Sequence, residues 1–423
     1  MIMLVFMSLY QMVDGVFVSH FVGELALSSL NIVYPVPSIV IALSIMLASG
    51  GSAIIARTMG EGREAEARGL FSQIIVVGTL LGGVLMLVGA VGMDPIIRAL
   101  GATDVLYDDC YRYLMVLMLS TPLAIYQMLF QTFFVTAGKP HLGLITTVIG
   151  GFANVLFDYV FIVRLGMGVT GAALGTSLGY SIPGLFGLFY FALCRNGTLY
   201  FVRPKGYPGF LRTTCTNGAS EMVSNLSIAV TTYLFNIQML RYLGPDGVAA
   251  ITIVLYAQWL LTSVFFGFSG GVAPVISYHY GCGSRRLLNR IVRISIGFTL
   301  IVSLLVFAFS LGGRSLIIGV FVPPGRPVFT LTQHGFAIFS VSFLFTGLHL
   351  FSSAMFTAFS NGKVSAILSF LRTFLFLAAA LLLLPIVLEA DGIWIAVPAA
   401  EGLAFILSWS CILAYRKRYF ART

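Results

Sequence analysis

Charge is what this sequence has least of. Aspartate, glutamate, lysine and arginine make up 9% of its 423 residues, against 58% hydrophobic residues and a mean hydropathy of +0.98. Soluble domains carry about a quarter charged residues, so this scarcity excludes an ordinary water-soluble fold. Cysteine is rare as well. Cys110, Cys194, Cys215, Cys282 and Cys411 stand singly, with no CxxC or Cys/His spacing, and read as inert packing residues. The histidines, His20, His141, His279, His334 and His349, have no metal-ligand spacing among themselves, and no HExxH, GxSxG or Walker sequence occurs. An enzyme is therefore not expected, and neither is a nucleotide-binding domain that would power a pump. A cleavable signal is missing too: Met1 already lies inside an apolar run, without a basic leader or a small-residue cleavage site, so the first span reads as clipped at its start.

What is present is apolar length. Stretches of eighteen or more apolar residues recur from end to end, each able to cross a hydrocarbon core of about 30 Å as a helix, whereas a membrane barrel would show alternating ten-residue segments. Punctuation by glycine, proline and charge predicts spans over 1–22, 29–56, 70–92, 108–136, 142–163 and 168–194, then over 213–242, 247–279, 292–312, 331–358, 365–387 and 393–414. The polar, Pro/Gly-rich stretch RNGTLYFVRPKGYPGF separates the sets. The predicted organisation is an all-α integral membrane protein of twelve transmembrane helices: a lobe over 1–194, a cytoplasmic linker over 195–212, a second lobe over 213–414 and a basic tail over 415–423.

The net charge of +9 is not spread along a polar face as nucleic-acid binding requires. Most basic residues fall in the even-numbered connections and the tail, among them Arg57, Arg63, Arg68, Arg285, Arg286, Arg290, Arg293 and Arg416 to Arg418. The positive-inside rule then places both termini in the cytoplasm of a cell (inner or plasma) membrane protein. The halves echo each other: HFVG from His20 matches RYLG from Arg241, the SGG at Ser49 matches that at Ser269, and AGK from Ala137 matches NGK from Asn361, at offsets between 220 and 224. Six spans per half make the repeats parallel, which leaves a central cleft.

Ionisable groups within spans are expensive, and four of the acids fall there: Asp14, Asp158, Glu221 and Glu401. Asn154 and Asp158 share one helix face. Two acids with an amide suit a proton or a hard cation such as Na+, which takes oxygen ligands. They suit equally a polar pin between helices. The second half has Phe235, Ala378 and Leu382 opposite Asp14, Asn154 and Asp158, so a requirement of the fold alone would have appeared twice. Glu221 is a candidate for attracting a cationic substrate, or a carboxylate reaching the cytoplasmic edge. Glu401 shows no polar neighbour of similar depth. The run GVTGAALGTSLG follows no strand, and its small residues read as a close helix-packing face rather than a phosphate loop.

YQMVDGVFVSHFVGELALSSLNIVYPV, ASGGSAIIARTMGEG and ANVLFDYVFIVRLGMGVTGAALGTSLG resemble the MATE family of multidrug and toxic compound extrusion transporters, within it the DinF-like bacterial and archaeal branch. The resemblance implies two six-helix lobes forming a V and alternating access. It implies export of small amphipathic or cationic organic compounds in exchange for Na+ or H+, with no other cofactor. By matching position it implies an ion site of Asp14, Asn154, Asp158 and Thr176, with Tyr10 and Gln131 lining the same pocket; Gln131 stands where the family usually has Asn. A monomer in the lipid bilayer is expected, with no nucleic-acid partner. The alternatives are a flippase of lipid-linked oligosaccharides from the same superfamily, which needs several arginines in its cleft where only Arg112 and Arg372 come near a span, and an inactive truncated relative.

Overall fold

The computed structural model describes residues 6–7, 21–22, 24–102, 104–204 and 206–419. Among the described residues every regular element is helical. The chain divides into two compact units, one ending at Gly218 and the other beginning at Ala219.

The first unit contains α1 (Glu24–Val33), α2 (Pro35–Gly60), α3 (Glu64–Val91), the short α4 (Met93–Ala99), α5 (Asp104–Leu119), α6 (Thr121–Thr136), α7 (Pro140–Asp158) and α8 (Gly168–Leu193). The predicted fourth span is a bent pair, α5 and α6 meeting at 53°. Pro122 in the first turn of α6 has no amide to continue the α5 ladder. The second unit repeats the device: α12 (Pro327–Ser340) and α13 (Phe343–Ala358) meet at 51°. Between the bent pairs lie α9 (Phe210–Gly281), whose first turns still belong to the first unit, α10 (Arg285–Gly312) and the short α11 (Arg314–Gly319). After them come α14 (Gly362–Phe370), α15 (Ala378–Ala414) and α16 (Arg416–Tyr419).

Among the described residues seven helices are individually long and apolar enough to cross a membrane, and the bent pairs raise that to nine. Two of the seven stretches, 210–281 and 362–414, contain a break: α9 at Gly244, with a φ of 65° that glycine tolerates and Pro245 following, and α15, within the second stretch, at Glu389. The predicted first span falls largely outside the described residues.

Two turns show the repeat in backbone detail. The amides of Glu61, Gly62 and Arg63 donate to the carbonyls of Arg57, Met59 and Thr58; those of Cys282, Gly283 and Ser284 donate to Tyr278, Tyr280 and His279 in the same pattern. Gly62 and Gly283 both take a positive φ. Likewise Ala137, Gly138 and Lys139 correspond to Phe359, Ser360 and Asn361, Gly138 and Ser360 again having positive φ. The spatial match therefore sits two residues away from the AGK/NGK match read in the sequence.

The stretch between the two sets of spans is polar in composition but docked on the first unit. Arg68 Nε donates to the Thr198 carbonyl at 3.0 Å, the Val202 amide to Ser72 Oγ at 2.9 Å and the Tyr207 amide to Gln73 Oε1 at 3.2 Å. Phe201 stacks on Phe71 in a core that includes Phe130, Phe133, Phe134 and Phe191.

Candidate functional site

The interior of the first unit is built where α7 meets α8. Thr147, Asn154 and Asp158, spaced by seven and four residues, lie along one stripe of α7, and all three are buried, Asp158 at 0% exposure. Across from Asp158 and Asn154 α8 presents Gly175 and Gly179, while Gly171, four residues earlier, faces Phe161. A Cβ on Gly179 would lie 2.9 Å from the Asn154 Cβ, and one on Gly175 would overlap Asp158 Oδ1. The glycine run is thus the close-packing face expected of it, and it does something the sequence reading missed: it clears the volume that the Asp158 carboxylate occupies. The signal was the four-residue spacing of these glycines taken with the register of α7.

Immediately after Asp158 the backbone changes to a π-helical segment, Tyr159–Arg164. Such insertions rotate the side chains that follow relative to those before, and they are frequent at functional sites. Between His141 and Arg164 no lysine, arginine or histidine occurs, and none occurs in α8.

Among the described residues, Asn154 Oδ1 and Thr176 Oγ1 are buried without a hydrogen-bond partner, as are Thr147 Oγ1 and Gln127 Oε1. An unmet buried acceptor costs about 1–3 kcal/mol, a cost that a bound cation or a further residue would offset at Asn154 and Thr176. Oxygen donors of this kind fit a proton or a hard cation such as Na+ and would not select a soft metal. Among the described residues no group of three or more His, Cys, Asp or Glu is placed to hold a metal ion. Gln131 is buried one turn beyond Gln127, and its Nε2 lies 3.2 Å from Met7 Sδ. Asp14 and Tyr10 lie outside the described residues.

In the second unit, Glu221 is partly buried near the unit's start, and its carbonyl accepts from Asn225 Nδ2 at 2.9 Å. Glu401 corrects the expectation that it lacks a polar neighbour. Arg372, in a second π-helical segment (Leu371–Leu377), donates to Glu401 Oε1 from Nε at 2.7 Å, with Nη2 2.6 Å from the same oxygen. Oε2 is buried with no hydrogen-bond partner among the described residues. His349, also buried, has Nδ1 3.0 Å from Ser408 Oγ.

The model of the MatE family matches residues 1–160 and 222–382, most of the chain and parts of both units. The chain belongs to the MatE family. Multidrug export protein MepA of Staphylococcus saprophyticus is 24% identical to it over 431 residues, covering 96% of this chain and 87% of the relative. MepA of Staphylococcus haemolyticus is 24% identical over 352 residues, covering 81% and 77%. Among solved structures, MATE in complex with MaL6 superposes with a TM-score of 0.93 at 22% identity, covering 98% of this chain and 95% of that one. The outward-facing conformation of a multidrug resistance MATE family transporter of the MOP superfamily gives 0.92 at 22% identity, covering 100% and 95%. The fold is therefore the all-helical two-repeat fold of that family. As a MatE member with this many apolar helices, the chain is a multi-pass membrane protein of a transporter family rather than of an enzyme family.

Proposed function

We propose that this protein is a secondary antiporter that exports small amphipathic, chiefly cationic organic compounds by alternating access, in exchange for Na+ or H+. In this reading Asp158, Asn154 and Thr176 of the first unit, together with Asp14, hold the coupling ion. Tyr10 and Gln131 line the same pocket, and Glu221 is a candidate contact for cationic cargo. Both termini lie in the cytoplasm, and the protein works as a monomer.

The observation that carries the reading is the fully buried Asp158 in a cradle cleared by Gly175, on helices whose Asn154 and Thr176 oxygens have no hydrogen-bond partner among the described residues. Burial disfavours a bare carboxylate; binding a proton neutralises it, and binding Na+ pairs it while meeting the orphaned oxygens. Each elementary charge moved inward gains about 2.3 kcal/mol per 100 mV of membrane potential, roughly a fiftyfold bias. If cargo and ion favour opposite-facing states or exclude each other, release of one is linked to binding of the other by the same free energy in both directions. The flippase alternative loses ground: Arg112 is exposed, and Arg372 is engaged by Glu401 instead of being open to a pyrophosphate.

The test is efflux of a fluorescent organic cation from vesicles under imposed pH or sodium gradients, comparing the native chain with Asp158→Asn and Asp14→Asn. One gradient drives efflux and both substitutions abolish it, while membrane insertion is unchanged. Efflux that survives both substitutions overturns the site assignment, and a native chain that moves no cation overturns the antiporter reading itself.

A further inference from the structure

The two units treat the charge on corresponding turns in opposite ways. In the first, the turn around Gly62 carries Arg57, Arg63 and Arg68 together with Glu61, Glu64 and Glu66, and these pair: Arg57 with Glu61, Arg63 with Glu61 and Glu66, and Arg68 with Glu64. In the second, the turn around Gly283 has the same hydrogen bonds and the same positive φ, but α10 starts with Arg285, Arg286, Arg290 and Arg293. All four are exposed, and no aspartate or glutamate occurs anywhere between Asp246 and Glu389, nor after Glu401.

Tyr419 gathers further cations to the same end of the unit. Its ring stacks on Phe359 at 4.3 Å and lies 5.8 Å from the ring of Tyr280, two residues before Cys282. Its hydroxyl accepts from Asn361 Nδ2 at 3.1 Å. Exposed Lys363 follows Asn361 by two residues, and exposed Arg416, Lys417 and Arg418 directly precede Tyr419. Among the described residues, Arg286, Arg290, Arg293 and Lys363 form no ion pair. Placing a basic residue in a cytoplasmic connection satisfies topology, and the first unit does that with its turn neutralised internally. Topology alone leaves the missing acids of the second unit unexplained.

We propose that this end of the second unit binds the headgroups of anionic phospholipids in the cytoplasmic leaflet, and that the corresponding end of the first unit does not. The inference rests on the orientation proposed above. Guanidinium groups take phosphate oxygens in pairs, a lone basic cluster next to membrane-spanning helices meets a negative surface potential, and the tyrosines supply rings suited to the interface. Each basic residue near such a surface strengthens binding by about fivefold before screening by salt.

The experiment uses the full chain in neutral detergent, with phosphatidylglycerol and phosphatidylcholine added in turn and the bound lipid counted by native mass spectrometry. The native chain retains phosphatidylglycerol over phosphatidylcholine. The variant Arg286→Gln/Arg290→Gln/Arg293→Gln loses that preference by roughly tenfold or more, and Arg63→Gln/Arg68→Gln in the first unit leaves it intact. A triple variant that keeps the native preference overturns the proposal, as does equal loss in the first-unit variant. Orientation is read separately, by labelling exposed Cys282 with an impermeant maleimide on intact and everted vesicles. Labelling confined to the cytoplasmic face supports the leaflet assigned; labelling from the outside overturns that assignment together with the orientation reading, whatever the detergent result.

Discussion

Gly175→Ala is the smallest change that reaches the candidate ion site. The added methyl falls on Asp158 Oδ1, so the carboxylate must rotate away or α7 and α8 must part. Overpacking of this kind costs about 1–3 kcal/mol. If that cost falls on the ion-loaded arrangement, the concentration of Na+ or H+ for half-maximal efflux rises by roughly 5- to 150-fold. Two controls separate the site from general packing. Gly187→Ala, on the same helix, places its methyl in the Phe130 ring and strains the core, so it lowers thermal stability without moving the ion dependence. Gly83→Ala meets no atom within 4 Å and leaves both unchanged or slightly gains stability. A Gly175→Ala protein whose half-maximal ion concentration stays within twofold of native would refute the reasoning.

Arg372→Met leaves the carboxylate of buried Glu401 without its cation and should lower stability by about 3–5 kcal/mol, whereas Arg372→Met/Glu401→Leu should recover most of the loss; thermal unfolding in detergent checks both. In the turn around Gly62, burial by itself would raise the Glu61 carboxyl, but hydrogen bonds from Arg63 and Arg57 outweigh it and hold its pKa below the ordinary value of 4.5. A depressed carboxylate stabilises the folded turn above that ordinary value and loses the contribution as pH falls through the lower folded value. The mobility of a spin label at position 65 should therefore stay low above about pH 4.5 and rise below it, and Glu61→Gln should remove the dependence.

Most of the helical plan is legible from apolar length, since a bilayer sets a minimum span that loops seldom imitate. The bends within the fourth spans are not, because α5 with α6 and α12 with α13 are each continuous in hydropathy and the break lies in backbone hydrogen bonding. Composition shows the stretch after Arg195 only as polar on average; buried Leu199 and stacked Phe201, which dock it on the first unit, are not visible in that average. Asn154 and Asp158 are readable as a shared helix face, while the role of Gly175 needs the register between α7 and α8. The partner of Glu401 was hidden for a similar reason. Arg372 is remote in sequence, and nothing local in either span announces the pair.

The two buried carboxylates stand in different surroundings, which the proposed antiport puts to different uses. Glu401 is gripped by a guanidinium, so the pair is neutral as a whole, and taking up a proton or a cation there would first have to displace an arginine that is itself largely buried. Asp158 sits on helices that offer it amide, hydroxyl and glycine but no lysine or arginine between positions 140 and 158 or along α8. A site that must bind and release a cation in every cycle needs its counter-charge to be the cation itself, since a resident base would hold the carboxylate ionised and compete with the cargo ion. In the proposed antiporter this asymmetry between repeats suits ion coupling: the first unit places no lysine or arginine on α7 or α8 beside its acid, and the second holds its own with Arg372.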